Sequence, residues 1–146
     1  MTIIVATDFS DAAAAGEAQA LRVASRFAAE LIFVHVAVES PLYGEGPLNM
    51  ADVRTVYEGA RKWAAAQLEQ RVAAARGSGV LSRSVLRVGV PHEEIVRAAT
   101  EEKAEMVVVG THGRSGLDRV LLGSVAERVV RLAPCPVLTV RPAKSA

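Results

Sequence analysis

The chain has 146 residues, with 17 Lys and Arg against 16 Asp and Glu and a net charge of +1. That length suits one domain with a proper core, and so even a balance supplies no strong field to recruit nucleic acid or an anionic membrane. The single cysteine, Cys135, excludes an internal disulfide and a cysteine-built zinc site.

The opening residues MTIIVATDFS carry no basic lead and reach an acid at Asp8, unlike a secretory signal. No apolar stretch approaches the roughly 20 residues of a membrane helix. The expected location is the cytoplasm, and neither a membrane nor nucleic acid is expected as a partner. Residues 2–7, TIIVAT, are apolar and rich in β-branched side chains, as in a strand buried on both faces. Ser10 or Asp11 can cap an alanine-rich helix that runs to about residue 28. Residues 31–38, LIFVHVAV, predict a second buried strand, and residues 39–50, with Pro41, Gly44, Gly46 and Pro47, a loop.

A long helix is predicted over residues 51–76. Val53, Val56, Ala60, Trp63 and Gln67 recur at helical spacing, as do Tyr57, Ala64, Leu68, Val72 and Ala75. Together they predict one wide apolar stripe, with Tyr57 and Trp63 as core or interface anchors. Gly77, Ser78 and Gly79 end it. Residues 82–88 alternate and read as an edge strand; Gly89 and Pro91 lead into a helix over residues 92–102. Residues 105–110, EMVVVG, predict a fourth strand, followed by a glycine-rich loop and a helix over residues 124–132. Residues 137–141 form the last strand, and the tail from residue 143 is expected to fray. Five strands alternating with four helices argue for an α/β domain, a parallel sheet with helices on both faces. No internal repeat or second domain is evident, so residues 1–146 read as one domain. The pattern leaves the strand order open. In the order 3-2-1-4-5, strands one and four would flank the point where the winding reverses, and ligands bind there beyond the carboxyl ends of the strands.

Two segments would meet at that point: Ala6-Thr7-Asp8-Phe9-Ser10, and GTHGRSGLDRVLLGS from Gly110 to Ser124. Glycines let a ligand approach the backbone, and a helix N-terminus adds free N–H donors and partial positive charge. Ser124 adds a hydroxyl, and Arg114 and Arg119 could neutralise phosphate. The loop is not a P-loop, because no Lys-Ser pair follows the glycine, and GxGxxG is absent after the first strand. Taken alone, the glycines could equally be turn residues between a strand and a helix.

The spacing of Gly110, Gly113 and Gly123-Ser124 resembles the nucleotide-binding pattern of the universal stress protein family. TIIVATDFS is similar to that family's first strand and acid. Gly89, Pro91, Ile95 and Ala99 with EMVVVGTHGRSG, and then LLGSVAERVVRLAPCPVLTVR, resemble its later elements. The likeness covers nearly the whole chain and is weakest over residues 39–76. It implies a single doubly wound sheet in the order 3-2-1-4-5 and a crevice for ATP, with or without Mg2+. It places Asp8 by the ribose or near the metal and phosphate region, Thr7 in the same pocket and Val36 by adenine, with Ala6 and Val109 also in the nucleotide site. Gly110, His112, Gly113 and Arg114 would wrap ribose and phosphates, and Gly123, Ser124 and Val125 would hold the phosphate tail. It further implies a homodimer through the last strand, from Pro136 to Arg141. Three residues depart from the usual pattern. Ala6 stands where proline is common, Phe9 where glycine is frequent, and Glu105 where aspartate is common.

The expected function is therefore an ATP-dependent stress or signalling switch acting on a downstream protein partner. A slow ATPase or phosphotransferase would need a base, for which only Asp8 and His112 qualify, and no nucleophile is evident beside His112. A ligand-free dimeric interaction module is a further alternative. A receiver domain would need a phosphorylatable Asp after strand three, where the chain reads Val88-Gly89-Val90-Pro91. Asp8 also suits capping of the first helix, a role compatible with ligand contact. His35 reads as a hydrogen-bonded core histidine, His92 as solvated, and Cys135 as a packed apolar residue rather than a reactive thiol. The three histidines lack metal-ligand spacing, so no metal site on protein ligands and no catalytic residue is expected.

Overall fold

Runs of β-branched residues too short for helices become strands buried on both faces. A computed structural model describes residues 1–39, 50–112 and 122–143. In chain order the elements are β1 (Thr2–Ala6), α1 (Asp11–Phe27), β2 (Glu30–Ala37), α2 (Met50–Gly77), β3 (Ser82–Val88), α3 (Pro91–Glu101), β4 (Met106–Gly110), α4 (Ser124–Leu132) and β5 (Val137–Val140). The sheet runs β3-β2-β1-β4-β5 with every pair parallel. It is a doubly wound α/β fold, with β1 and β4 side by side where the winding reverses.

Side-chain alternation divides the core. Ile3, Val5, Leu31, Phe33 and Val108 meet α1 and α2, packing against Ala20, Ala24, Leu68, Val72 and Ala75. Ile4, Ile32, Val34, Val107 and Val109 meet Ile95, Ala98 and Ala99 of α3 and Ala126 and Val129 of α4. Burying each Ile, Leu or Val contributes about 1.5–3 kcal/mol. Small residues on α1 bring it close to the sheet. A methyl group on Gly16 would lie 3.5 Å from the Gly110 nitrogen, and one on Gly110 would lie 3.2 Å from the Ala12 carbonyl oxygen. On the β3 side, Arg83 bonds Glu30 at 2.9 Å and also Glu102. The bond to Arg83 holds the Glu102 carboxyl below its usual range, outweighing a smaller upward push from burial.

The long helix departs from the expected stripe. Ala64, Leu68, Val72 and Ala75 are buried, but Val56 is 60% exposed and Trp63 52% exposed. A helix of 28 residues spans about 42 Å, whereas the eight-residue strand β2 spans about 26 Å. The first half of α2 therefore outruns the sheet. Its apolar face looks onto space beyond the strand ends instead of onto the core. Among the described residues, no helix is long and apolar enough to cross a membrane.

Candidate functional site

A cleft of about 600 Å³ opens beyond the carboxyl ends of β1, β2 and β4. Ala6, Thr7 and Asp8 line it from β1, and Val36 from β2. Val109, Gly110 and His112 line it from β4, and Gly123, Ser124 and Val125 from the start of α4. These are the expected site residues, apart from Gly113 and Arg114, which lie outside the described residues, as does Arg119. The stagger of the strands accounts for Val36. Thr7 donates its N–H to the Val34 carbonyl at 2.9 Å, so Val34 turns its backbone groups toward β1. Val36, two residues on, turns the same way, but β1 ends at Ala6, opposite Val34. That backbone edge of Val36 thus extends past its neighbour, toward the cleft.

The β1–α1 turn is tightly determined. Asp8 Oδ1 accepts from the Ser10 backbone N–H at 3.0 Å and from the Ser10 hydroxyl. Ser10 Oγ then caps α1 by accepting the Ala13 N–H at 3.1 Å. Of the three candidate caps, Ser10 takes the role, Asp8 orients it and Asp11 begins the helix. Between them Phe9 has φ +65°, a left-handed conformation that glycine adopts without cost. This explains why the resemblance leads one to expect glycine there. The Phe9 ring stacks on His35 at 4.3 Å and meets Trp63 edge-on at 5.4 Å. Nδ1 of His35 lies 2.8 Å from the Thr7 carbonyl oxygen, the hydrogen bond expected of a strand histidine.

The β4–α4 side is built differently. Thr111 donates its N–H to Val140 of β5 at 3.0 Å, and Gly123 donates its own to the Thr111 carbonyl at 2.8 Å. A side chain at Gly123 would place Cβ 3.0 Å from that same carbonyl oxygen, a contact that only a shift of the neighbouring backbone would relieve. No side chain caps α4, whose first residues face the cleft. The opening N–H groups of a helix have no partner within it, and they carry partial positive charge. Nδ1 of His112 pairs with the Thr111 hydroxyl at 2.8 Å, while its Nε2 is buried without a hydrogen-bond partner among the described residues.

The sequence showed no nucleophile paired with His112; the structure sets the Thr111 hydroxyl against its Nδ1. An activated hydroxyl also needs the base to be oriented by a third group, and no described residue meets Nε2. Among the described residues, no three His, Cys, Asp or Glu side chains converge as metal ligands. What the site offers is a row of donors facing an acidic turn across an apolar slot.

The family model for universal stress proteins matches residues 1–141. The chain belongs to the universal stress protein family. A universal stress protein of Methanocaldococcus jannaschii is 37% identical over 97% of this chain and 82% of its own. The structure of universal stress protein UspA from Lactobacillus plantarum superposes with a TM-score of 0.85 at 26% identity, covering 97% of each chain. A universal stress protein solved in complex with cAMP superposes with a TM-score of 0.69 at 27% identity, covering 98% of each chain.

In this universal stress protein, α2 and α3 also contribute walls that the sequence reading left out. Tyr57, Ala60 and Trp63 line the cleft from α2, and Pro91 and Ile95 from α3. Half-buried Glu39 and exposed Arg61 form an ion pair between the exit of β2 and α2. The hydrogen bond from Arg61 draws the Glu39 carboxyl below its ordinary range. An apolar stripe with no sheet left to cover was the available signal for the α2 wall. Away from the cleft, Cys135 is half-buried beside the α3–α4 core, and burial pushes its thiol upward. That favours packing over reactivity. His92 is partly buried.

Proposed function

We propose that this protein binds ATP in the cleft and acts as a nucleotide-dependent switch in stress response or signalling. The observation that carries the proposal is the uncapped start of α4, which turns toward the cleft opposite the Asp8 turn. A phosphate group matches a helix start in both charge and hydrogen-bonding sense. The residues fit a nucleotide in two further respects. His112 Nε2 is a buried polar atom in need of a partner, and Gly123 keeps side-chain bulk away from the α4 donors. A relative of the same fold in complex with cAMP supports a nucleotide as the class of ligand.

In this reading, Ser124 and Val125 hold the phosphate tail with backbone N–H groups and the Ser124 hydroxyl. Asp8 and Thr7 border the ribose, with Asp8 also near the phosphates and any Mg2+ that accompanies them. Val36, Val109 and Ala6 border adenine, and Gly110 and His112 the ribose and phosphates. Gly113 and Arg114 extend the same glycine spacing. The chain's own residues bind and orient the nucleotide. The protein is taken to work in the cytoplasm as a homodimer. β5 supports the dimer because it ends the sheet, so one of its backbone edges is left for a second copy. Calorimetric titration with ATP, ADP, AMP and cAMP, with and without Mg2+, tests the reading. Saturable ATP binding supports it, and no heat at millimolar ATP rejects it. A monomeric mass in light scattering at micromolar concentration would reject the dimer alone.

A further inference from the structure

Resting on the nucleotide-binding reading, we propose that Glu17 of α1 and Arg71 of α2 are positioning residues for the cleft, holding the Thr7-Asp8-Phe9 turn in the shape that receives the ligand. The buried side of α1 otherwise consists of Ala13, Gly16, Ala20 and Ala24. A carboxylate beside them is conspicuous. The Glu17 side chain is 14% exposed and that of Arg71 20%. Such a pair is weak evidence for stability, since well-packed apolar residues often serve as well. Its contacts point to a different role.

Glu17 Oε1 accepts the hydroxyl hydrogen of Thr7. The Thr7 oxygen, thus oriented, accepts the Phe9 backbone N–H at 3.0 Å. Nε of Arg71 lies 2.9 Å from both Glu17 oxygens, and Nη1 bonds the Gln67 carbonyl at 3.2 Å. The same guanidinium sits 4.8 Å from the centre of the Phe9 ring. Left-handed backbone is costly for a residue with a side chain, so it persists only where its surroundings enforce it. Here the ring is gripped by His35, Trp63 and Arg71, and the backbone N–H by Thr7. Asp8 lies between the two anchored residues. Its place in the cleft is therefore set from beneath by a pair that does not itself line the cleft but grips Thr7 and Phe9 from behind.

The test compares wild type with Glu17→Leu, Glu17→Gln, Arg71→Lys and Thr7→Val. Two quantities are read well below each unfolding transition: ATP affinity by calorimetry, and the backbone NMR shifts of Asp8, Phe9 and Ser10 without nucleotide. Glu17→Leu should weaken ATP binding by about tenfold and move the turn resonances. Glu17→Gln, which keeps an acceptor for Thr7, should restore most of the affinity. Glu17→Leu combined with Thr7→Val should weaken binding no more than the stronger single change. If Glu17→Leu does not fold, Arg71→Lys carries the same two readouts, because it keeps the charge but loses the planar contact. A folded variant of lower melting temperature with wild-type affinity and unmoved turn resonances would overturn the proposal. Failure of wild type itself to bind ATP would instead remove the nucleotide reading. The turn resonances would then still decide whether the pair holds the turn.

Discussion

Two helices open onto the cleft, α1 after β1 and α4 after β4, and their first turns are finished in opposite ways. At α1 the Ser10 side chain occupies the Ala13 N–H, and Asp8 in turn occupies Ser10. At α4 the cap position is Gly123, which has no side chain to spend, and the first N–H groups are left facing the cleft. One start is closed upon itself and presents an acid. The other is open and presents donors. The two helix dipoles point into the same space, yet only one is positioned to meet an anion. Alternation of strands and helices creates both starts, and a serine against a glycine decides their chemistry.

The largest expected effect comes from closing the open start. Gly123→Val puts bulk against the Thr111 carbonyl and should cost about 1–3 kcal/mol of stability. It should also weaken ATP binding by at least about tenfold, read by thermal melting and calorimetry on the same preparation. Opening the closed start should cost stability alone. Ser10→Ala should cost about 1 kcal/mol in chemical denaturation. It should change ATP affinity little, because the Ser10 backbone N–H still holds Asp8. An equal loss of affinity in both variants would dissolve the contrast.

Ser124→Ala should leave the nucleotide-free melting temperature in place and, on the proposed binding mode, weaken ATP binding by about three- to tenfold, since Ser124 lines the cleft at the start of α4. The smallest effect sets the background. Glu102 lies away from both starts and is held below its usual range by Arg83. A lowered carboxylate stabilises the fold above the ordinary range, near pH 4.3, and loses that contribution as pH falls through the folded value. The Arg83 side chain is 40% exposed, so Glu102→Gln should cost less than about 1 kcal/mol at pH 7. The difference from wild type should shrink in acid denaturation curves as pH falls below about 4.3, with ATP affinity untouched at neutral pH.

Strand and helix positions were legible because each face of a parallel sheet demands apolar residues and each crossover a helical period. Ile3, Ile4 and Val5 carry that demand for β1, and Val107, Val108 and Val109 for β4. The order of the strands was not in the periodicity. It came from the resemblance, and the register confirms it. The α2 wall was misread because a helical stripe records which face is apolar, not how far the sheet beneath it extends. For Phe9, no local pattern announces a left-handed angle in a residue with a side chain. The Thr111–His112 pair was hidden in plain adjacency. Glu17 left a usable trace, four residues after Ala13 and three before Ala20, on the buried side of α1. A carboxylate at core spacing asks for a cation, and Arg71 is that cation.

The contact between Gly16 and Gly110 sets a tolerance on the whole arrangement. It presses the helix that follows the acidic jaw against the strand that leads to the donor jaw, with backbone on backbone and nothing between. The separation of the jaws is consequently gauged by the thickness of the main chain alone. A single methyl group at residue 110 would act as a shim there, pressing on the Ala12 carbonyl and changing the gape of the cleft from behind.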